Sequence, residues 1–215
     1  MEENELLKIE NFLATNGPIE VEGKTFEKLM FIYSVAIKEL TTKLEILKDE
    51  FSVFYHYELI DHIKTRIKKP GSIIKKMKDK NYELTYEEMI QNINDIAGVR
   101  VIVPMKNDIY TIRNLVSSLP GVRTIKEKDY VANPKKSGYM SYHLIVEVPI
   151  TLSQKIIYVK VEIQVRTIAM DFWASIEHKA KYKTKEKPSK KCSKELIECA
   201  KMISKLDDKM MYLKT

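Results

Sequence analysis

Val159-Lys160-Val161-Glu162-Ile163-Gln164-Val165-Arg166 alternates apolar and polar residues without a miss. Successive side chains of an extended chain point to opposite sides, so this run predicts a strand with one apolar face. The other face then carries Lys160, Glu162, Gln164 and Arg166 side by side. An acid among cations and an amide suits a metal ion or a phosphate, while a solvated outer face is the plain alternative.

Working outward, further strands are expected at 99–103, 122–128, 140–148 and 156–166, the last two close enough to form a hairpin. Helices are expected at 25–50, 73–80, 86–94, 108–118, 168–182 and 193–213. Residues 58–69 read equally as strand or helix. Phe26, Leu29, Met30, Tyr33, Ile37, Leu40, Leu44 and Leu47 recur at three- and four-residue intervals, the mark of a long amphipathic helix. Alternating helices and strands interrupted by a hairpin predict an α/β fold of α+β character, with one mixed sheet of about five strands flanked by helices. The expected organisation is a helical extension over 1–55, a catalytic core over 56–183 and a second helical extension over 184–215.

The 215 residues are 44% hydrophobic with 6 Gly and 7 Pro, which fits one globular domain. No apolar run is long enough to span a bilayer, and Met1-Glu2-Glu3-Asn4-Glu5 is acidic where a signal peptide is basic, so a cytoplasmic protein without a membrane partner is expected. Cys192 and Cys199 have neither CxxC spacing nor a neighbouring His, which argues against zinc and against a disulfide framework. The net charge of +7 is uneven: residues 64–80 hold eight Lys and Arg against Asp79, and residues 179–194 hold eight Lys against Glu186. Two basic segments suggest polyanionic partners, whether nucleotides or nucleic acid.

Four segments place polar residues where a core pattern does not ask for them. In the first, Arg66 and Lys68 share a face if the chain is extended there, Ser72 is suited to cap a helix, and Lys76 returns to the same side one turn later. Cations, a hydroxyl and free backbone N–H groups at one place suit a polyphosphate, although the glycine spacing of a P-loop is missing. The second is Asp95-Ile96-Ala97-Gly98-Val99-Arg100, where Asp95 is placed either as a magnesium ligand or as a turn residue and Arg100 can grip a phosphate or stack on a base. The third runs from Lys135 to His143, with Tyr139, Ser141 and His143 on one face and Tyr142, Leu144 and Val146 on the other. The fourth continues the opening strand into a helix, with Asp171 near the site entrance and Phe172, Trp173, Ile176 and Ala180 read as packing. His178 and Glu177 lack HExxH spacing.

The ordered motifs RIKxxxSIxxK from Arg66, DIAGVR from Asp95, KxxGYxSYH from Lys135 and VEIQVRTxAMDFWASIEHK from Val161 resemble the synthetase domain of the RelA/SpoT family in its small, stand-alone alarmone synthetase form. The resemblance implies transfer of the β,γ-pyrophosphate of ATP to the 3′-hydroxyl of GDP, GTP or GMP with Mg2+. It assigns Arg66 and Arg100 to adenine, and Lys68, Ser72 and Lys76 to the ATP phosphates. Asp95 and Glu162 are assigned to magnesium, with Glu162 also the base. Tyr139 is assigned to guanine, Lys135 and His143 to the acceptor phosphates, and Ser141, Gln164 and Arg166 to the same side. It implies a homotetramer as well. No His-Asp dipeptide is present, so hydrolysis of the product is not expected. Two departures bear on the acceptor: Met140 stands where many relatives have Arg, and Asp171 where some have Asn, an acid able to accept the N1 and N2 protons of guanine. The rival readings are a catalytically silent RNA-binding module and a nucleotidyltransferase that releases pyrophosphate.

Overall fold

The computed structural model describes residues 23–183 and 189–212; expectations for residues 1–22, for the basic stretch around Pro188 and for residues 213–215 lie outside the described residues. The strands are β1 (His62–Ile67), β2 (Ala97–Val103), β3 (Arg123–Asp129), β4 (Tyr142–Leu152) and β5 (Lys155–Thr167). They form one sheet in the order β1-β2-β5-β4-β3. Only β2 and β5 pair in parallel, so the sheet is mixed. The helices are α1 (Gly23–Tyr55), α2 (Pro70–Asp79), α3 (Tyr86–Asn92), α4 (Lys106–Ser118), α5 (Ile168–Lys183) and α6 (Lys190–Met211).

The alternation of residues 159–166 holds in three dimensions. Val159, Val161, Ile163 and Val165 of β5 are buried, as are Val99 and Val101 of β2 and Leu144, Val146 and Val148 of β4. Leu29, Tyr33, Ile37, Leu40 and Leu44 of α1 complete the same apolar cluster. Truncating one of these leucines to Ala costs about 2–5 kcal/mol in lost transfer energy and cavity formation. The β4–β5 hairpin closes where Leu152 pairs with Lys155.

One open reading is resolved and two expectations need correction. The ambiguous stretch becomes a strand from His62 because its backbone pairs antiparallel with β2, from His62 opposite Ile102 to Ile67 opposite Ala97. Ser72 does not cap α2. Lys69 occupies that position and Pro70 opens the helix, where a missing N–H costs nothing, so Ser72 lies exposed in the first turn. Phe172 and Ile176 are not core residues, being 65% and 42% exposed. The buried apolar residues of α5 are Met170, which joins the main core, and Trp173 and Ala174, which pack with Ala200 and Leu196 of α6; Trp173 Nε1 donates to the Leu196 carbonyl at 2.8 Å.

Candidate active site

Strand register brings the polar residues into two rows across one face. Lys64 pairs with Arg100, Arg100 with Gln164, Gln164 with His143, and His143 with Lys128. One step along, Arg66 pairs with Gly98, Gly98 with Glu162, Glu162 with Ile145, and Ile145 with Lys126. Directly paired residues point to the same side, so residues distant in sequence become neighbours. Gly98 places no side chain beside Glu162, which leaves open space there.

That space consists of two cavities. The first, of about 290 Å³, is lined by Lys64, Thr65, Arg66, Lys68, Asp95, Gly98, Val99, Arg100, Glu162 and Gln164. The second, of about 240 Å³, is lined by Lys76, Asn92, Asn94, Asp95, Lys126, Lys128, Tyr130, Lys135, His143, Ile145 and Glu162. Asp95 and Glu162 belong to both linings, so the two cavities meet at a pair of acids.

Asp95 lies just before β2, where α2 and β1 bring lysines to it. Lys68 Nζ donates to Oδ2 at 2.9 Å and Lys76 Nζ lies 2.8 Å from Oδ1. Burial pushes the Asp95 carboxyl up, but Lys76 and Lys68 outweigh it and hold the group below its ordinary range. Glu162 is likewise pushed up by burial and drawn down further by His143 and Gln164, with Asp95 opposing. His143 Nδ1 lies 3.1 Å from Glu162 Oε1, and Gln164 Nε2 donates to Oε2 at 2.9 Å. A carboxylate only accepts, so His143 Nδ1 carries the proton; in the neutral ring Nε2 then accepts from the Tyr139 hydroxyl, 2.8 Å away. The Tyr139 oxygen in turn accepts from Arg166 Nη2 at 2.8 Å.

A magnesium ion fits the two acids. Their mutual repulsion favours a cation, and Asp95 Oδ1 is buried without a hydrogen bond of ordinary geometry although the Lys76 ammonium is close. Among the described residues no group of three or more His, Cys, Asp and Glu forms a metal cluster. A site with two carboxylates and room for phosphates is what magnesium takes, since it keeps water and substrate oxygens as its other ligands.

The expected residues do not all gather at the cavities. Arg66, Lys68, Arg100 and Gln164 line the first, Lys76, Lys135 and His143 the second, and Asp95 and Glu162 both. Ser72 lines neither. Ser141 is fully buried and donates to the Val165 carbonyl at 3.2 Å, so it braces β4 against β5; alternation fails there because Met140, Ser141 and Tyr142 are all covered. Asp171 is buried among Lys64, Arg100 and Arg166. Met140 packs beside Gly138, Ile197 and Ala200 of a separate crevice, away from the acid pair. Lys160 leaves the site face and donates to the Ile90 and Gln91 carbonyls near the end of α3. Sequence reasoning missed Asn92, Asn94, Lys126, Lys128 and Tyr130. Lys126 and Lys128 alternate within 122–128, and that was the one available signal.

Around Tyr139, Lys135 Nζ stands 4.7 Å from the ring centroid and 4.5 Å from that of Tyr130. The loop carrying them needs Gly138: its φ is +89°, and a Cβ there would fall 2.6 Å from Ala200 Cβ.

Residues 65–187 match the family described as "Region found in RelA / SpoT proteins". The chain is 43% identical over 185 residues to the GTP pyrophosphokinase YwaC of Bacillus subtilis, covering 86% of this chain and 88% of that one. Its structure is similar to that of small alarmone synthetase 1 from Bacillus subtilis bound to its product pppGpp, with a TM-score of 0.82 at 31% identity over 89% of this chain and 97% of the other. Small alarmone synthetase 2 from Bacillus subtilis matches with a TM-score of 0.81 at 39% identity over 89% and 98%. None of these relatives points to the nucleic-acid-binding alternative. Sequence motifs, sheet register and near full-length relatives agree, and the chain belongs to the RelA/SpoT family.

Proposed function

We propose that this enzyme transfers the β,γ-pyrophosphate of ATP to the 3′-hydroxyl of a guanine nucleotide, releasing AMP and forming a guanosine alarmone. The observation that carries this reading is the pair of cation-rimmed cavities sharing Asp95 and Glu162. A reaction between two phosphorylated substrates needs both polyanions neutralised and their reacting atoms held in line, with no covalent nucleophile. ATP belongs in the first cavity, with adenine between Arg66 and Arg100 and its phosphates running toward Lys68 and Lys76. The acceptor belongs in the second, with guanine on Tyr139 and its 5′-phosphates among Lys126, Lys128, Lys135 and His143. Lys135 must leave the face of Tyr139 for the base to stack there.

Glu162 is ionised at neutral pH and accepts the 3′-hydroxyl proton as the new P–O bond forms. His143 and Gln164 fix the carboxylate's orientation, and Tyr139 with Arg166 fixes His143. Asp95 holds Lys68 and Lys76 toward the phosphates. Magnesium held by Asp95 and Glu162 would add positive charge at the transferred group.

Exposed Phe31, Ile46, Val53 and Phe54 on α1, with Met202 and Leu206 on α6, support assembly into a homo-oligomer, and a tetramer is the state proposed. A scattering mass tests it. Among the described residues no helix is long and apolar enough to cross a membrane, and we place the enzyme in the cytoplasm with its nucleotides.

The deciding experiment incubates purified protein with magnesium, ATP and GMP, GDP or GTP in parallel. AMP and a 3′-pyrophosphorylated nucleotide are expected. Pyrophosphate in place of AMP would identify a nucleotidyltransferase, and tight salt-dependent RNA binding without turnover would identify a silent binding module.

A further inference from the structure

Asp171 sits in the first turn of α5 and is only 6% exposed. Its carboxylate takes three cations: Lys64 Nζ at 3.2 Å on Oδ2, and both Arg100 Nη1 at 2.9 Å and Arg166 Nη1 at 3.1 Å on Oδ1. Lys64 and Arg100 line the first cavity. Arg166 reaches the other way, donating from Nη2 to the Tyr139 hydroxyl at 2.8 Å and to Gln164 Oε1 at 2.9 Å.

Two guanidinium groups held on one oxygen repel each other: burial and Arg166 both disfavour the Arg100 cation, and Asp171 favours it. The Nε atoms of both arginines are buried without a hydrogen-bond partner, so neither guanidinium is fully tied down elsewhere. Both oxygens of Asp171 are already engaged, and the residue lines neither cavity. It is therefore badly placed to read the edge of guanine.

We propose that Asp171 is a positioning residue that ties Arg100 of the first cavity to Arg166 and Tyr139 beside the second, so that both nucleotides depend on one buried carboxylate. The inference rests on the assignment of the two cavities to ATP and a guanine nucleotide. Removing the charge while keeping the shape frees Arg100 and Arg166 to repel, and the surfaces meant for both bases shift together.

Calorimetric binding of a non-hydrolysable ATP analogue, GDP and IDP to wild-type protein and Asp171→Asn tests this without turnover. IDP lacks the 2-amino group of guanine. The substitution is expected to weaken the ATP analogue and GDP each about tenfold, as loss of a charge-assisted hydrogen bond does, and IDP by the same factor as GDP. Asp171→Glu, which restores the charge, is expected to recover part of both losses. Weakened GDP binding with IDP and the ATP analogue spared would overturn the proposal in favour of direct contact with guanine. Unchanged affinity for the ATP analogue would overturn it as well.

Wild-type protein offers a measurement that does not depend on the variant's folding. The Arg166 Nε–Hε NMR signal, assigned by its loss in Arg166→Lys, is expected to move when the ATP analogue alone is added; a stationary signal would refute the link. Wild-type protein that binds neither nucleotide would overturn the functional reading, and this inference with it.

Discussion

The two cavities share their acids but are built differently. In the first, cations are paired before any ligand arrives: Lys68 reaches Asp95, and Lys64 and Arg100 reach Asp171. In the second, Lys76 is paired with Asp95 at the junction, but none of the described ion pairs engages Lys126, Lys128 or Lys135, and Lys135 rests over aromatic rings instead. A cation already paired holds its position but gains less from a new anion, because part of its field is spent. An unpaired one gains more from each added phosphate and is more exposed to screening by salt. The first cavity is thus suited to a fixed ligand, and the second to ligands distinguished by charge.

Glu162→Gln strikes the point where the cavities meet and carries the largest expected effect. Turnover should fall about a thousandfold, the range for a lost general base, while both nucleotides still bind and the melting temperature holds. Activity within tenfold of wild type, read from AMP release, would end the shared-acid picture.

Gly138→Ala tests the second cavity's wall without touching a charge. A side chain at φ +89° that also meets Ala200 should cost about 1–3 kcal/mol of stability, read from urea unfolding. The acceptor KM should rise while the ATP KM stays near wild type, because the loop carrying Lys135 and Tyr139 leans on α6. Equal changes in both KM values would mean that the cavities are not separable in this way.

Lys128→Ala sharpens the contrast in charge. Its acceptor KM should rise about tenfold for GTP and progressively less for GDP and GMP, and the salt dependence of acceptor binding should flatten. Arg66→Ala should instead raise the ATP KM alone, with no ranking among the acceptors.

The same contrast explains what the sequence made legible. The first cavity rests on β2 and β5, whose apolar alternation is strong, so the neighbourhood of Arg100, Glu162 and Gln164 follows once those strands are recognised, while Arg66 joins it through β1, which the sequence leaves between strand and helix. The second depends on β3, where Arg123 to Asp129 contains a single aliphatic residue, Ile125, which is half exposed, and where the register slips between Thr124 and Lys126. Such a strand declares no inward face, and Lys126 and Lys128 look like solvated lysines until β4 is laid beside them. Ser141 and Asp171 failed for a different reason. Ser141 is turned to the Val165 carbonyl of β5 and Asp171 is enclosed by Lys64, Arg100 and Arg166, and no local period records packing by an element that lies elsewhere in the chain.

The smallest expected effect is in pH. Asp95, Glu162 and Asp171 all lie below their ordinary range in the folded protein, because burial, which raises them, is outweighed by lysine, histidine and arginine neighbours. A depressed folded pKa contributes stability that is complete above the unfolded value, about 4, and is lost as pH falls through the folded one. Asp207 has the opposite sign: burial raises it, so protonation as pH falls gives back a little stability at the base of α6. The urea midpoint should therefore change little between pH 7 and pH 5 and drop below about pH 4. Asp171→Asn should flatten that acid drop more than Asp207→Asn does. A steep loss already between pH 7 and pH 6 would mean that a group outside this carboxylate set governs stability, and the preformed ion pairs of the first cavity would then not be what holds it in shape.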